Sequence, residues 1–241
     1  MRAIVTEPTP EILLAAYAMG VFPMAEDYDS PEIAWIEPRR RGVIPLDAFH
    51  VPRSLRRTLR RGGFAISIDH DFEAVIRACA AAAPDRPRTW LNEPLIRSYV
   101  ELARRGVAHS VEVWRDDALA GGLYGLALGS AFFGESMFSR ARDASKIALV
   151  HLVERLRAGG FTLLDTQFVT PHLAQFGAVE ISRTAYLARL RHALAQPARF
   201  TADYPSAGGG CAGSQSGATG TASGGDGSGS IGSAHSIGHT S

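Results

Sequence analysis

From His109 to Ser182 the chain alternates strand-like and helix-like patterns in an order that leaves few folds open. Three strand-like runs come first: HSVEVWR (109–115), ALAGGLYGLAL (118–128) and SAFFGE (130–135), with Asp116-Asp117 as the first turn. A helical pattern over 144–158 follows, with Asp143 as its expected cap and Gly159-Gly160 as its stop. FTLLDTQF (161–168) is the next strand, Thr170-Pro171 opens a short helix, AVEIS (178–182) is a last strand, and a final helix runs to about Ala195. Hairpin neighbours lie antiparallel, whereas a strand–helix–strand crossover sets its strands parallel. The expected architecture is therefore an α/β (α+β) fold: a mixed sheet with helices packed on it, over residues 101–196.

Residues 1–100 read as a smaller, α-rich region with short strands. Thr9-Pro10-Glu11 is a strong helix start, and that helix stops at Gly20. Residues 21–45 are proline-rich and expected to be irregular; a short helix follows Pro52, a strand covers 64–68, a helix covers 71–82, and Asn92 caps another to about Arg105. Beyond residue 196 lies a C-terminal segment that is almost wholly Gly, Ser, Ala and Thr from Ser206. Such a tract cannot bury enough apolar surface to offset its ordering entropy, so disorder is expected.

The crossover carries the first candidate site. Asp165 and Gln167 stand two apart on a strand, so they project to one face, the face expected for Phe161, Leu163 and Val169. Polar groups placed where a core belongs need partners or a task. Glu135 ends the strand before the crossover and is expected to meet them. The plain alternatives are a polar strand end for Asp165 and Gln167, and a surface ion pair with Arg140 for Glu135.

A second signal is electrostatic. The formal charge of the chain is only +1, but Arg53, Arg56, Arg57, Arg60 and Arg61 fall on one helical face, with Leu55 and Leu59 opposite. With Arg39, Arg40 and Arg41 they suggest a phosphate-binding surface that reads backbone and shape. Cys79 and Cys211 make no disulfide framework, and no histidine spacing suggests a metal. The N-terminus lacks a signal-peptide pattern and no apolar run is long enough to span a bilayer, so a cytoplasmic protein without membrane association is expected.

The strand and helix order resembles that of GCN5-related N-acetyltransferases. More specific motifs point further: Tyr17-Ala-Met-Gly-Val-Phe-Pro23, Trp35-Ile-Glu-Pro38, His109-Ser-Val-Glu-Val-Trp114, Gly121-Gly-Leu-Tyr-Gly125, Gly134-Glu-Ser-Met-Phe-Ser-Arg140, Ala144-Ser-Lys146 and Leu164-Asp-Thr-Gln167. Together, in this order over about residues 10–195, they resemble bacterial leucyl/phenylalanyl-tRNA–protein transferases. The resemblance implies transfer of Leu or Phe from aminoacyl-tRNA to the α-amine of proteins beginning with Arg or Lys, which marks them for degradation by the N-end rule. It implies no cofactor and a monomer. It assigns Asp165 and Gln167 to amine activation, Glu135 to the cationic acceptor N-terminus, and Leu123, Phe132, Met137 and Leu152 to the pocket for the transferred side chain. Trp35 and Trp90, expected in polar loops, fall near the terminal adenosine of the tRNA, and the arginine stripe falls on its acceptor stem. The usual FPW motif is Phe22-Pro23-Met24 here, and a common Trp-Trp pair is Ala34-Trp35.

Two rival readings differ in class. A CoA-dependent N-acetyltransferase should carry glycines in the loop before the crossover helix, but Ser139–Ala144 holds none. A non-catalytic RNA-binding module would use the arginine stripe and have no need of Glu135, Asp165 or Gln167.

Overall fold

The computed structural model describes residues 4, 5, 7–82 and 88–200. The Gly/Ser-rich stretch from Ser206, with Cys211, falls outside the described residues. The elements are β1 (Ile4–Val5), α1 (Pro10–Ala18), β2 (Phe22–Ala25), β3 (Ile33–Ile36), β4 (Arg40–Ile44), α2 (Arg53–Arg61), β5 (Ala65–Ile68), α3 (Phe72–Ala80), α4 (Glu93–Arg104), β6 (Ala108–Arg115), β7 (Ala118–Leu128), β8 (Ala131–Ser139), α5 (Ala144–Ala158), β9 (Leu163–Gln167), α6 (Pro171–Ala174), β10 (Val179–Ser182) and α7 (Arg183–Leu194).

Local chemistry accounts for most of these boundaries. Side-chain oxygens of Thr9, Asn92, Thr170 and Ser182 cap α1, α4, α6 and α7. Asp116 and Asp117 both take positive φ, as a two-residue hairpin between right-twisted strands requires. Asp143 departs from expectation. It sits at the start of α5 with φ 66° and makes no cap; its carboxylate instead reaches Thr58 and Lys146, each at 3.1 Å. The Ser139 hydroxyl accepts from the backbone N–H of Ser145 in its place.

A seven-stranded sheet has the order β10-β4-β9-β8-β7-β6-β5, and a small sheet has the order β1-β3-β2. Among the described strands only β8 and β9, joined by α5, run parallel; every other pair is antiparallel. Residues 21–45 therefore correct the irregular reading: they form β2, β3 and β4, and β4 lies inside the large sheet between β10 and β9. β4 and β5 precede residue 100 yet pair with strands that follow it.

Neighbouring residues on the strands alternate between two cores. Tyr124, Leu126, Phe133 and Leu163 face α1, α3, α4 and α7. Val111, Val113, Leu123, Phe132 and Leu164 face α5. α5 is buried nearly all round because α2 covers its outer side through Leu55. This alternation also corrects the expected company of Asp165: Leu163 joins one core, but Phe161 and Val169 join the other.

The site arises where the parallel pair comes apart. Ladder partners between β8 and β9 end at Phe133 and Asp165, while β8 continues to Ser139 against β7 alone. Beyond that point the two strands no longer fill the space between them. On the other flank of β9 the register with β4 slips between Gly42 and Val43. A Cβ on Gly42 would lie 2.5 Å from the backbone carbon of Phe168 and 2.7 Å from its oxygen. Glycine is needed there because the chain folds over β4 immediately after Gln167. Gly42→Ala is expected to destabilise the protein by about 1–3 kcal/mol, read as a lower urea midpoint, and to displace Gln167.

Candidate active site

Asp165 has no exposed surface, and every acceptor position it offers is taken. Arg41 Nε donates to Oδ1 at 2.9 Å and Arg41 Nη2 to Oδ2 at 2.7 Å. The Tyr186 hydroxyl donates to Oδ2 at 2.7 Å, and the backbone N–H of Gln167 donates to Oδ1 at 2.9 Å. Burial pushes the Tyr186 phenol up, and the adjacent Asp165 charge adds to it, so the hydroxyl remains a donor. Arg41 is 1% exposed and lies between the rings of Phe22 and Tyr186, 4.5 and 4.7 Å from their centroids. Its Nη1 donates to the Gly20 carbonyl at 3.0 Å.

This overturns one expectation. Arg41 belongs to no phosphate-binding surface, because a buried, fully bonded guanidinium cannot meet one. Arg39 and Arg40 are exposed, and Arg40 pairs with Glu180 at 2.9 Å. The three arginines looked alike in sequence, and the strand that starts at Arg40 points the third inward.

Gln167 is mostly buried, with φ 57°, a left-handed backbone that side chains rarely adopt. Its Nε2 donates to Glu135 Oε1 at 3.3 Å. That leaves the amide oxygen as the free acceptor. Glu135 Oε2 accepts from the Tyr99 hydroxyl at 3.1 Å, and the Tyr99 and Tyr17 hydroxyls share a 2.6 Å hydrogen bond. The surface pairing with Arg140 is absent: Arg140 donates to the Leu119 carbonyl and lies over the Phe138 ring. Glu135 keeps an edge on the cavity but sits deep among protein atoms. Burial pushes its carboxyl up to about 7; Tyr17 and Tyr99 pull the other way, Asp165 adds, and Arg41 opposes.

Glu135 and Gln167 line a cavity of about 840 Å³, within the usual range for small-molecule sites. One wall comes from the core beneath α5: Leu123, Met137, Leu149, Leu152 and Leu164. The facing wall comes from the other core: Phe22, Met24 and Trp90. Asp165 is not on the cavity surface, so its hydrogen bonding reaches a bound group through Gln167 and its charge through Glu135.

Of the expected pocket residues, Leu123, Met137 and Leu152 line this cavity. Phe132 does not. It is 0% exposed and stacks on Phe200 at 5.4 Å, an interior position. Trp90 lines the cavity, whereas Trp35 lies in β3, half-buried against the core and off the cavity wall, not in a loop. Tyr17, Tyr99 and Tyr186 went unread as site residues, and Arg41 was read only as part of the phosphate-binding surface. The apolar Gly42-Val-Ile44 directly after Arg41 was the available signal that its strand enters the core.

The arginine stripe is outward on α2. Arg53, Arg56, Arg57, Arg60 and Arg61 are exposed, and among the described residues none of them forms an ion pair. Arg57 and Arg61 also border a cleft with Arg115 and Arg142. Among the described residues there is no His/Cys/Asp/Glu cluster suited to a metal, and no described helix is long and apolar enough to cross a membrane.

Residues 43–191 match the family model of leucyl/phenylalanyl-tRNA protein transferase, and residues 6–39 match the model of that family's N-terminal domain. The leucyl/phenylalanyl-tRNA–protein transferase of Paramagnetospirillum magneticum is 65% identical over 192 residues, covering 80% of this chain and 92% of that one. Its counterpart in a Ruegeria species is 58% identical over 190 residues, covering 79% and 89%. Among solved structures, L-PGS from Bacillus licheniformis aligns at 14% identity with a TM-score of 0.38, covering 68% of this chain and 55% of that one. The chain belongs to the leucyl/phenylalanyl-tRNA–protein transferase family.

Proposed function

We propose that this protein moves Leu or Phe from aminoacyl-tRNA onto the α-amine of proteins that begin with Arg or Lys, marking them for degradation, and that it does so as a monomer in the cytoplasm. The observation that carries the reading is the Glu135–Gln167 pair, set at the seam between two apolar walls of one cavity. Leu123, Met137 and Leu152, joined by Leu149 and Leu164, are the wall for the transferred side chain. Trp90 and Met24 are the wall for the terminal adenosine. A fit of this kind separates similar apolar side chains by only about 1–3 kcal/mol per methylene, so Met is an expected weaker substrate.

In the reaction the acceptor nitrogen attacks the ester carbonyl. A peptide bond forms, the bond from the acyl carbon to the ribose oxygen breaks, and the amine gives up a proton while the ribose oxygen regains one. The Gln167 amide oxygen accepts a hydrogen bond from the amine and aims its lone pair. Glu135 receives the proton. A free α-amine titrates near 7.7–8.0, within about one unit of Glu135 at about 7, so the transfer is nearly balanced near neutral pH. The ester is already activated, so holding the two reactants together supplies most of the acceleration. The ionised form of Glu135 also suits an acceptor whose first side chain is cationic.

A CoA-dependent reading is less well supported. The loop before α5 has no glycine, and the Asp143 carboxylate with its Lys146 partner occupies the helix start where a pyrophosphate would sit. The test is direct: Phe-tRNA carrying labelled Phe, incubated with a protein beginning with Arg, should pass label to the acceptor. Absence of label with folded protein at low salt, or acetyl-CoA turnover without tRNA, would remove the proposal.

A further inference from the structure

We infer that Arg41 is a positioning residue for the transfer reaction: its guanidinium, clamped between Phe22 and Tyr186, locks the Asp165 carboxylate in the one orientation that holds Gln167 toward Glu135. The inference rests on the reading of Gln167 and Glu135 as the amine-handling pair.

The argument begins with what a buried ion pair does. Replacing one with packed apolar residues is often neutral or stabilising, so stability alone is a weak reason to keep it. Here the pair has a specific geometric consequence. Asp165 never reaches the cavity, and among the described residues its only hydrogen bond toward it comes from the N–H of Gln167, two residues on. That hydrogen bond supports a left-handed backbone at a non-glycine residue, a conformation that persists only where its surroundings over-determine it. A carboxylate free to rotate would not hold it. Arg41 removes the rotation by two parallel hydrogen bonds, Tyr186 adds a third, and Arg41 is itself fixed by two rings and the Gly20 carbonyl. Five elements thus converge on the angle of one amide: α7 through Tyr186, β2 through Phe22, β4 through Arg41, and β9 with β8 at the cavity.

The same cluster has an electrostatic side. Around Glu135 stand Arg41 from β4, Asp165 from β9, Tyr17 from α1, Tyr99 from α4 and Tyr186 from α7. The Arg41 charge holds the Glu135 carboxyl down and the Asp165 charge holds it up. Removing the cation should move the acidic limb of the pH–rate profile to higher pH, which a merely structural residue would not do.

The experiment is steady-state transfer of labelled Phe from Phe-tRNA to an Arg-initiated protein, from about pH 6 to pH 9 across the relevant titrations. Variants are Arg41→Lys, Arg41→Gln, Arg41→Met with Asp165→Asn, and Gln167→Ala. Arg41→Lys keeps the charge but loses the fork, and should lower kcat about 10- to 100-fold with KM for Phe-tRNA and the pH profile little changed. Arg41→Gln should lower kcat similarly and also shift the acidic limb upward. The double variant removes both charges and leaves none orphaned. It covers the case in which Arg41→Gln does not fold, and should be folded but slow. Folded Arg41→Lys with wild-type kcat overturns the inference, and so does wild-type kcat in the double variant. If Gln167→Ala is slow while Arg41→Lys is not, only the role of Arg41 fails; if Gln167→Ala itself retains kcat, the amine-handling reading fails beneath it.

Discussion

Glu135→Gln is expected to lower kcat for transfer by about 10²- to 10⁴-fold, the usual contribution of a positioned proton acceptor, while making the protein more stable above neutral pH. The first effect follows from removing the one cavity-lining carboxylate that, among the described residues, contacts Gln167. Glutamine retains the volume and one acceptor oxygen, so the cavity and KM for Phe-tRNA should change little. The second effect follows from linkage. In the folded protein the Glu135 carboxyl is pushed from 4.5 up to about 7, chiefly by burial. Between those values the folded state holds a proton that the unfolded chain has released, so wild-type stability falls as pH rises through the window and levels off above about 7. The variant has no such loss. Its advantage should be about 1–2 kcal/mol near pH 8, allowing for the exposed edge of Glu135, and should vanish near pH 4. Urea unfolding at both pH values measures it. A variant that is slow but no more stable at high pH would mean that Glu135 ionises without penalty, and the proposed proton acceptor would lose its physical basis.

Changing Arg56, Arg57 and Arg60 together to Ala should raise KM for aminoacyl-tRNA by about one to two orders of magnitude near physiological salt and leave kcat nearly unchanged. All three are exposed, and no acid among the described residues neutralises them. Each phosphate contact contributes about 0.7–0.9 to the slope of log affinity against log salt, so the slope should flatten by about two to three. Arg56 also donates to the Val51 carbonyl at 2.9 Å, which sets the lower figure if that bond keeps its guanidinium from a phosphate. Folding should survive, because Leu55 alone anchors α2 deeply and like charges on one face repel. An unchanged KM and salt slope would detach the stripe from tRNA binding.

How much was legible in the sequence differs between the fold and the site. Caps and turns depend on residues within four positions of each other, so Thr9, Asn92, Thr170 and the Asp116-Asp117 hairpin could be read directly. The order of the meander and crossover was legible for the same reason, because strand alternation is a local pattern. β4 was not, since its first two residues are charged and its partners β9 and β10 lie more than a hundred residues away. Asp165, Gln167 and Glu135 stood out as polar interruptions of apolar runs, whereas the pocket role that the resemblance implied for Phe132 fails because that ring faces Phe161 and Phe200.

Sequence alone thus determined the parts whose energetics are short-range: which segments outside residues 21–45 are helix or strand, which helix face carries charge, and which polar residues interrupt the crossover. Tertiary structure alone decided what those polar residues experience. Arg41 meets Asp165 across 124 positions, and in doing so leaves the phosphate surface its neighbours suggested and becomes the clamp of the site. Glu135 is an ordinary carboxylate until β8 and β9 part and three tyrosines and a core surround it. The reason is physical: desolvation and charge pairing depend on what fills the few ångströms around a group, and that is set by packing between distant segments.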